Sequence, residues 1–214
     1  MIIINMNIEN YDFPNFGYLV ADLPKETLIA LSKRIDKIIK HPDHEIDYSG
    51  KLVANIKQSY DLADSKKLLE HHVIDLAKEY DRKYPGYILS KDCVSAATPI
   101  GIHDVWVNIQ NAGEINPNHC HPGIFSFVIW MYVPYTVKEQ QENLPGAPIN
   151  GLFEFTYTQI TGTINHIVLP SDRNWQGKIC LFPSSMQHCV YPFKSNNPKD
   201  LRITVAGNVR FLIE

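Results

Sequence analysis

The run Ile124 to Val133, ten residues with Ser126 as its one polar member, constrains this chain more than any other stretch. It falls well short of the roughly 20 residues a membrane-spanning helix needs, and it reads as a buried strand. Just before it stands Asn118-His119-Cys120-His121-Pro122-Gly123. If the strand extends back through residues 119–121, alternation sets both imidazoles on one face. A third nitrogen is offered by Leu181-Phe182-Pro183-Ser184-Ser185-Met186-Gln187-His188. We expect these two segments to close on a metal ion held by His119, His121 and His188. Imidazole suits iron, zinc, copper or nickel, and three ligands on a rigid scaffold leave positions for water or substrate. A His-x-His pair alone reads as readily as two surface histidines in a loop. The adjoining strand, the Pro-Gly turn and the later histidine favour the metal. Cys120 and Cys189 each adjoin an expected ligand, and thiolates would select zinc, but alternation turns Cys120 away from the shared face.

Around this centre the chain reads in two parts. Residues 22–40 predict a helix, with Asp22 as cap, Pro24 in the first turn and Leu28, Leu31, Ile35, Ile38 and Ile39 as its apolar stripe. His41-Pro42-Asp43-His44 ends it as a solvated turn. A second helix is predicted over 65–83, with Leu68, Leu69, His72, Val73, Leu76 and Tyr80 inward and Pro85-Gly86 as the stop. After Gly101 the pattern changes. Val105-Trp106-Val107-Asn108-Ile109-Gln110 alternates as a half-buried strand does. Short strands are expected at 124–133, 152–158, 163–169, 178–182, 188–193 and 201–213, with an irregular loop at 134–150. Many short strands with turn signals between them and no helices argue for an antiparallel sandwich or barrel. The expected fold is therefore mainly β with N-terminal helices (α+β): a jelly roll, or double-stranded β-helix, over residues 101–214. Residues 1–100 are its helical support within the same domain.

Charge and cysteine usage narrow the partners. A hydrophobic content of 44% over 214 residues is enough for one buried core. A net charge of −3, with no Lys/Arg cluster interleaved with aromatics, gives nucleic acid no footprint. Met1-Ile2-Ile3-Ile4-Asn5 lacks the basic start and the apolar length of a secretion signal. Cys93, Cys120, Cys180 and Cys189 show no Cys-x-x-Cys spacing. A cytoplasmic protein with reduced thiols and no membrane contact is expected.

One further strand carries chemistry. In Leu201-Arg202-Ile203-Thr204-Val205, Arg202 and Thr204 share a face, and an arginine fork beside a hydroxyl suits bidentate capture of a carboxylate. With this strand, the segments 105–108, 119–122, 126–132 and 181–188 resemble the 2-oxoglutarate/iron(II)-dependent oxygenase superfamily. The resemblance covers roughly residues 100–211 and is nearest to a bacterial and phage branch related to prolyl hydroxylases. It implies Fe(II) on His119 and His188, 2-oxoglutarate as co-substrate with its distal carboxylate on Arg202 beside Thr204, and O2 as oxidant. The reaction it implies is decarboxylation of 2-oxoglutarate to succinate coupled to C–H hydroxylation, with no catalytic residue beyond the metal centre. Asn108, Trp106, Ser126 and Tyr132 would line the pocket. The primary substrate would be a peptidyl side chain such as proline, or a small molecule, in the cytoplasm of a bacterium or phage-infected host. A homodimer stays open.

One departure stands out. Most of the superfamily carries Asp or Glu two residues after the first histidine, where this chain has His121. Three neutral imidazoles leave both charges of the metal to be balanced by other ligands. Two other readings therefore compete: a three-histidine cupin-type dioxygenase or isomerase, and a jelly-roll binding module that has lost its iron chemistry. Arg202 speaks against the cupin, which has no use for a carboxylate clamp at that point. Loop 134–150 and segment 85–104 are the expected walls of the mouth.

Overall fold

The computed structural model describes residues 15–91, 95, 98–143, 146 and 149–212. The readings placed on Met1–Asn5 and Cys93, and on parts of 85–104 and 134–150, lie outside these residues. In chain order the elements are β1 (Leu19–Asp22), α1 (Lys25–Lys40), β2 (Gln58–Asp61), α2 (Lys66–Lys83), β3 (Ile100–Asn111), β4 (Asn116–His119), β5 (Phe125–Tyr132), α3 (Val137–Asn143), β6 (Phe153–Thr158), β7 (Ile164–Leu169), β8 (Lys178–Pro183), β9 (Gln187–Val190) and β10 (Leu201–Phe211). Two antiparallel sheets result, one ordered β1-β8-β5-β10-β3-β2 and one ordered β4-β9-β6-β7. This is the jelly roll expected from the strand pattern.

β5 lies inside the larger sheet, between β8 and β10, and both of its faces are covered. Phe125, Phe127 and Ile129 join Leu31, Ile35 and Ile38 of α1 and Leu69, Val73 and Tyr80 of α2 in one apolar cluster. Val128 and Trp130, on the opposite face, pack with Phe153, Phe155 and Phe182 in a second cluster between the sheets. That double burial is why the run shows no polar alternation. The helices cover one face of the large sheet, and His72 of α2 bonds the Thr27 hydroxyl of α1 at 2.9 Å. No helix of the described residues is long and apolar enough to cross a membrane.

Several expectations need correction. Asp22 ends β1 and accepts a hydrogen bond from Lys178 Nζ at 2.7 Å, so it does not cap α1, whose first turn follows Pro24 without a side-chain cap. Ile39 is exposed and Thr27 takes a place on the buried face. The first hundred residues also supply both edge strands of the large sheet, β1 and β2. α3 occupies part of the loop expected to be irregular. His119 and β5 do not share one strand. β4 ends at His119 in the small sheet, and β5 begins at Phe125 in the large one. Gly123 makes the passage at φ +122°, where a Cβ would lie 2.8 Å from the Val209 carbonyl oxygen, so the turn requires glycine.

Candidate metal centre

β4 and β9 lie side by side in the small sheet, with His119 directly opposite His188. His121 follows β4, held by a bond from its backbone N–H to the Ser184 carbonyl at 2.8 Å. The three rings are neighbours, with centroid separations of 4.2 Å (119–188), 4.8 Å (119–121) and 5.3 Å (121–188). One ring nitrogen from each lies within 4.8 Å of the others, and this is the only such cluster of potential ligands among the described residues. The three expected histidines are thus brought together, by a route other than a continuous strand.

Two of the rings are oriented by their own backbone. His119 Nδ1 lies 2.7 Å from the Pro117 carbonyl oxygen and His188 Nδ1 lies 2.9 Å from that of Met186. A carbonyl only accepts, so each Nδ1 carries the hydrogen and each Nε2 keeps a free lone pair. His188 is also stacked on Phe153 at 5.5 Å with an 11° interplanar angle, and Phe182 meets it edge-on at 4.9 Å. His121 has no comparable Nδ1 partner among the described residues; its nearest ring outside the triad is Trp106, at 5.9 Å.

Burial keeps all three imidazoles neutral. Desolvation lowers His119 below the usual histidine value, and desolvation with the neighbouring His119 pushes His121 down to about 4 and His188 to about 3. A neutral, desolvated, pre-oriented imidazole is what a divalent cation requires, so the donor set fits iron(II). A consequence follows for the metal-free protein. The unfolded chain takes up these protons near pH 6.5, whereas the folded chain resists until its depressed values are reached. Stability fully present above pH 6.5 is therefore lost as pH falls toward 4, by at least about 3 kcal/mol in all. Urea unfolding of chelator-treated protein at pH 7 and pH 4 measures this; equal midpoints would mean that water reaches the rings.

From the triad a narrow cavity of about 40 Å³ runs between the sheets. By volume it has room for about three or four waters. β3 contributes Trp106, Asn108 and Gln110 to its wall, β5 contributes Ser126, and β10 contributes Thr204. Asn108 accepts a bond from Ser59 Oγ at 2.7 Å, and Ser126 donates to Asn208 Oδ1 at 2.8 Å. Trp106 Nε1 and Asn116 Oδ1 are buried polar atoms with no partner in the protein, and both residues line the cavity. Tyr132 does not line it. The bulge where β10 passes from Ile203 to Thr204 breaks the alternation at the end of β5, and Tyr132 is 47% exposed. Cys120 is exposed and Cys189 is buried, and neither joins the ligand cluster.

Arg202 is buried beyond the cavity wall, stacked 5.5 Å from the Phe193 ring. Its Nη1 donates to Tyr135 Oη and the Gly151 carbonyl, both at 2.6 Å, and Nη2 donates to the Tyr191 carbonyl at 2.9 Å. Nε and Nη2 both donate to Gln110 Oε1, at 3.0 and 2.7 Å. All these acceptors are neutral. Gln110 stands third in the alternating series 106, 108, 110, so its place on the wall was readable from β3; Tyr135, Gly151 and Tyr191 come from irregular segments and carried no such signal.

A family model described as "Putative 2OG-Fe(II) oxygenase" matches residues 104–208. No curated protein sequence matches the chain. Among solved structures, a prolyl-4-hydroxylase of Pseudomonas putida aligns with a TM-score of 0.56 at 12% identity, covering 91% of this chain and 93% of that one. AviO1 from Streptomyces viridochromogenes Tue57 gives 0.52 at 15% identity, covering 92% and 90%. The non-heme alpha-ketoglutarate-dependent carbocyclase SnoK from nogalamycin biosynthesis gives 0.52 at 8% identity, covering 90% and 78%. At these identities the structural likeness speaks to the jelly-roll fold.

Proposed function

We propose that this chain, whose residues 104–208 match a family model described as "Putative 2OG-Fe(II) oxygenase", couples conversion of 2-oxoglutarate to succinate and CO2 with hydroxylation of a C–H bond. His119, His121 and His188 would hold the iron, and Arg202, with Thr204 nearby, would take the distal carboxylate of the co-substrate. On this reading residues 1–100 are the helical support of a catalytic core at 101–214. The observation that carries the proposal is Arg202 itself. It is a guanidinium at 2% exposure that no carboxylate of the described residues pairs with. A buried cation served only by neutral acceptors leaves its charge open to an anion.

Bound iron and 2-oxoglutarate supply the oxidising chemistry. The chain's own part is to present two Nε2 lone pairs fixed by the Pro117 and Met186 carbonyls, to keep all three imidazoles neutral, and to enclose the metal's open side in a narrow cavity between the sheets. Trp106 Nε1, a donor without a partner, and Asn116 Oδ1, an acceptor without one, are the wall groups left to meet a ligand's polar atoms.

A polypeptide substrate is the reading we favour. A cavity of about 490 Å³ lies beside the turn that leads into His188, lined by Phe16, Tyr87, Lys91, Tyr157, Ile164 and Met186, an open apolar trough with one cation. Its likeness in fold to a prolyl-4-hydroxylase points the same way. The test is an anaerobic titration of the iron(II) protein with 2-oxoglutarate. A metal-to-ligand charge-transfer band is expected, followed on admission of air by succinate in proportion to 2-oxoglutarate consumed. Iron binding without the band would point instead to a three-histidine cupin-like activity.

A further inference from the structure

Arg202 has five N–H groups, and each is used inside the protein. Three of these bonds, to Tyr135 Oη, the Gly151 carbonyl and the Tyr191 carbonyl, tie the guanidinium to segments outside the cavity wall. The remaining two, from Nε and Nη2, converge on Gln110 Oε1. That edge, with its two parallel N–H vectors, is the one that accepts both oxygens of a carboxylate. Here a single amide oxygen fills it. Gln110 lines the cavity that holds the three imidazoles, whereas Arg202 stands behind it. The far end of the Gln110 amide is anchored too, donating from Nε2 to the Glu114 carbonyl.

We propose that Gln110 is an internal competitor for the Arg202 fork, which the distal carboxylate of the co-substrate displaces, so that Gln110 sets how tightly the chain takes 2-oxoglutarate. The inference rests on the reading of Arg202 as the co-substrate's partner. A carboxylate makes two charge-assisted bonds where the amide makes two neutral-acceptor bonds through one atom, so the exchange runs in the carboxylate's favour. The three outer bonds hold the guanidinium plane while Gln110 leaves, so the fork is pre-formed. The narrow cavity agrees: about 40 Å³ does not admit a five-carbon dicarboxylate unless a wall side chain moves, and Gln110 is the wall residue between the triad and the fork.

The experiment is calorimetric titration of 2-oxoglutarate into the iron(II) protein under nitrogen, for wild type, Gln110→Met and Gln110→Glu. Methionine keeps length and burial but offers no oxygen, and is expected to tighten binding about tenfold. Glutamate places a resident carboxylate in the fork and is expected to weaken it by about tenfold or more. Iron affinity should change in neither. Should Gln110→Met be less stable, the rise in its melting temperature on adding 2-oxoglutarate must exceed that of wild type. Equal affinities in all three proteins overturn the inference, as does weaker binding by Gln110→Met, which would make Gln110 a direct contact of the co-substrate. Failure of all three iron-loaded proteins to bind 2-oxoglutarate would remove the reading of Arg202, and the inference would fall with it.

Discussion

Arg202→Met is expected to lower the unfolding free energy by about 3–5 kcal/mol and to abolish measurable binding of 2-oxoglutarate. The stability loss follows from what the side chain leaves behind. Methionine fills much of the aliphatic volume, but the Tyr191 carbonyl and Gln110 Oε1 would remain in a dry interior with their donor gone, while the Gly151 carbonyl and Tyr135 Oη would keep only their bond to each other. Each stranded buried group costs about 1–3 kcal/mol, less whatever rearrangement recovers. Arg202 also joins separate parts of the chain: β10 and β3 through Gln110, and the segments around residues 135, 151 and 191 through its outer bonds. Lysine should rescue neither property, since one ammonium cannot reproduce a planar fork with five donors. At roughly 2–4 °C per kcal/mol for a chain of this size, the melting temperature should fall by about 10 °C. Thermal unfolding checks the first effect and calorimetry the second. A variant melting within about 2 °C of wild type would show that water already reaches these acceptors.

How much of this could be read from the sequence depended on how local the signal was. β5 was legible because a strand buried on both faces must be apolar throughout, and the run from Ile124 to Val133 is nearly so. α1 and α2 were legible because each buries one stripe against the same sheet face. β1 and β2 were not: four-residue edge strands such as Leu19–Asp22 and Gln58–Asp61 are too short for a period to emerge. Tyr132 was placed in the pocket with Ser126 on the strength of the resemblance, and a bulge in the pairing of β5 with β10 takes it out of line with Ser126. The histidines were found for a reason only half right. His119 and His121 meet because the chain turns from one sheet toward the other between them and Gly123, not because one strand carries both. The fork of Arg202 was visible as a residue, while the groups that occupy it came from 92, 67, 51 and 11 positions away.

His188→Ala should cost the largest factor in metal affinity, at least about 100-fold in iron(II) binding, beyond the 10–100-fold typical of losing a mere supporting partner. His188 is the most firmly placed of the three: its tautomer is set by the Met186 carbonyl, its ring is clamped by Phe153 and Phe182, and it is 4% exposed. Without it two imidazoles remain, one of them with no orienting bond. His121→Asp is the informative contrast. A carboxylate there would offset one of the metal's charges, so iron(II) should bind at least about tenfold more tightly than to wild type. The metal-free variant should be less stable, because that carboxylate would replace a desolvated imidazole and feel the negative charge of Asp104, which already acts on position 121. Opposite signs for metal affinity and metal-free stability separate a ligand from a packing residue, since a packing residue loses both together. Equilibrium dialysis of iron(II) under nitrogen and urea unfolding of the chelator-treated proteins provide the two numbers. Should His121→Asp hold iron no better than His188→Ala does, position 121 lies outside the coordination sphere and the centre is a two-histidine site.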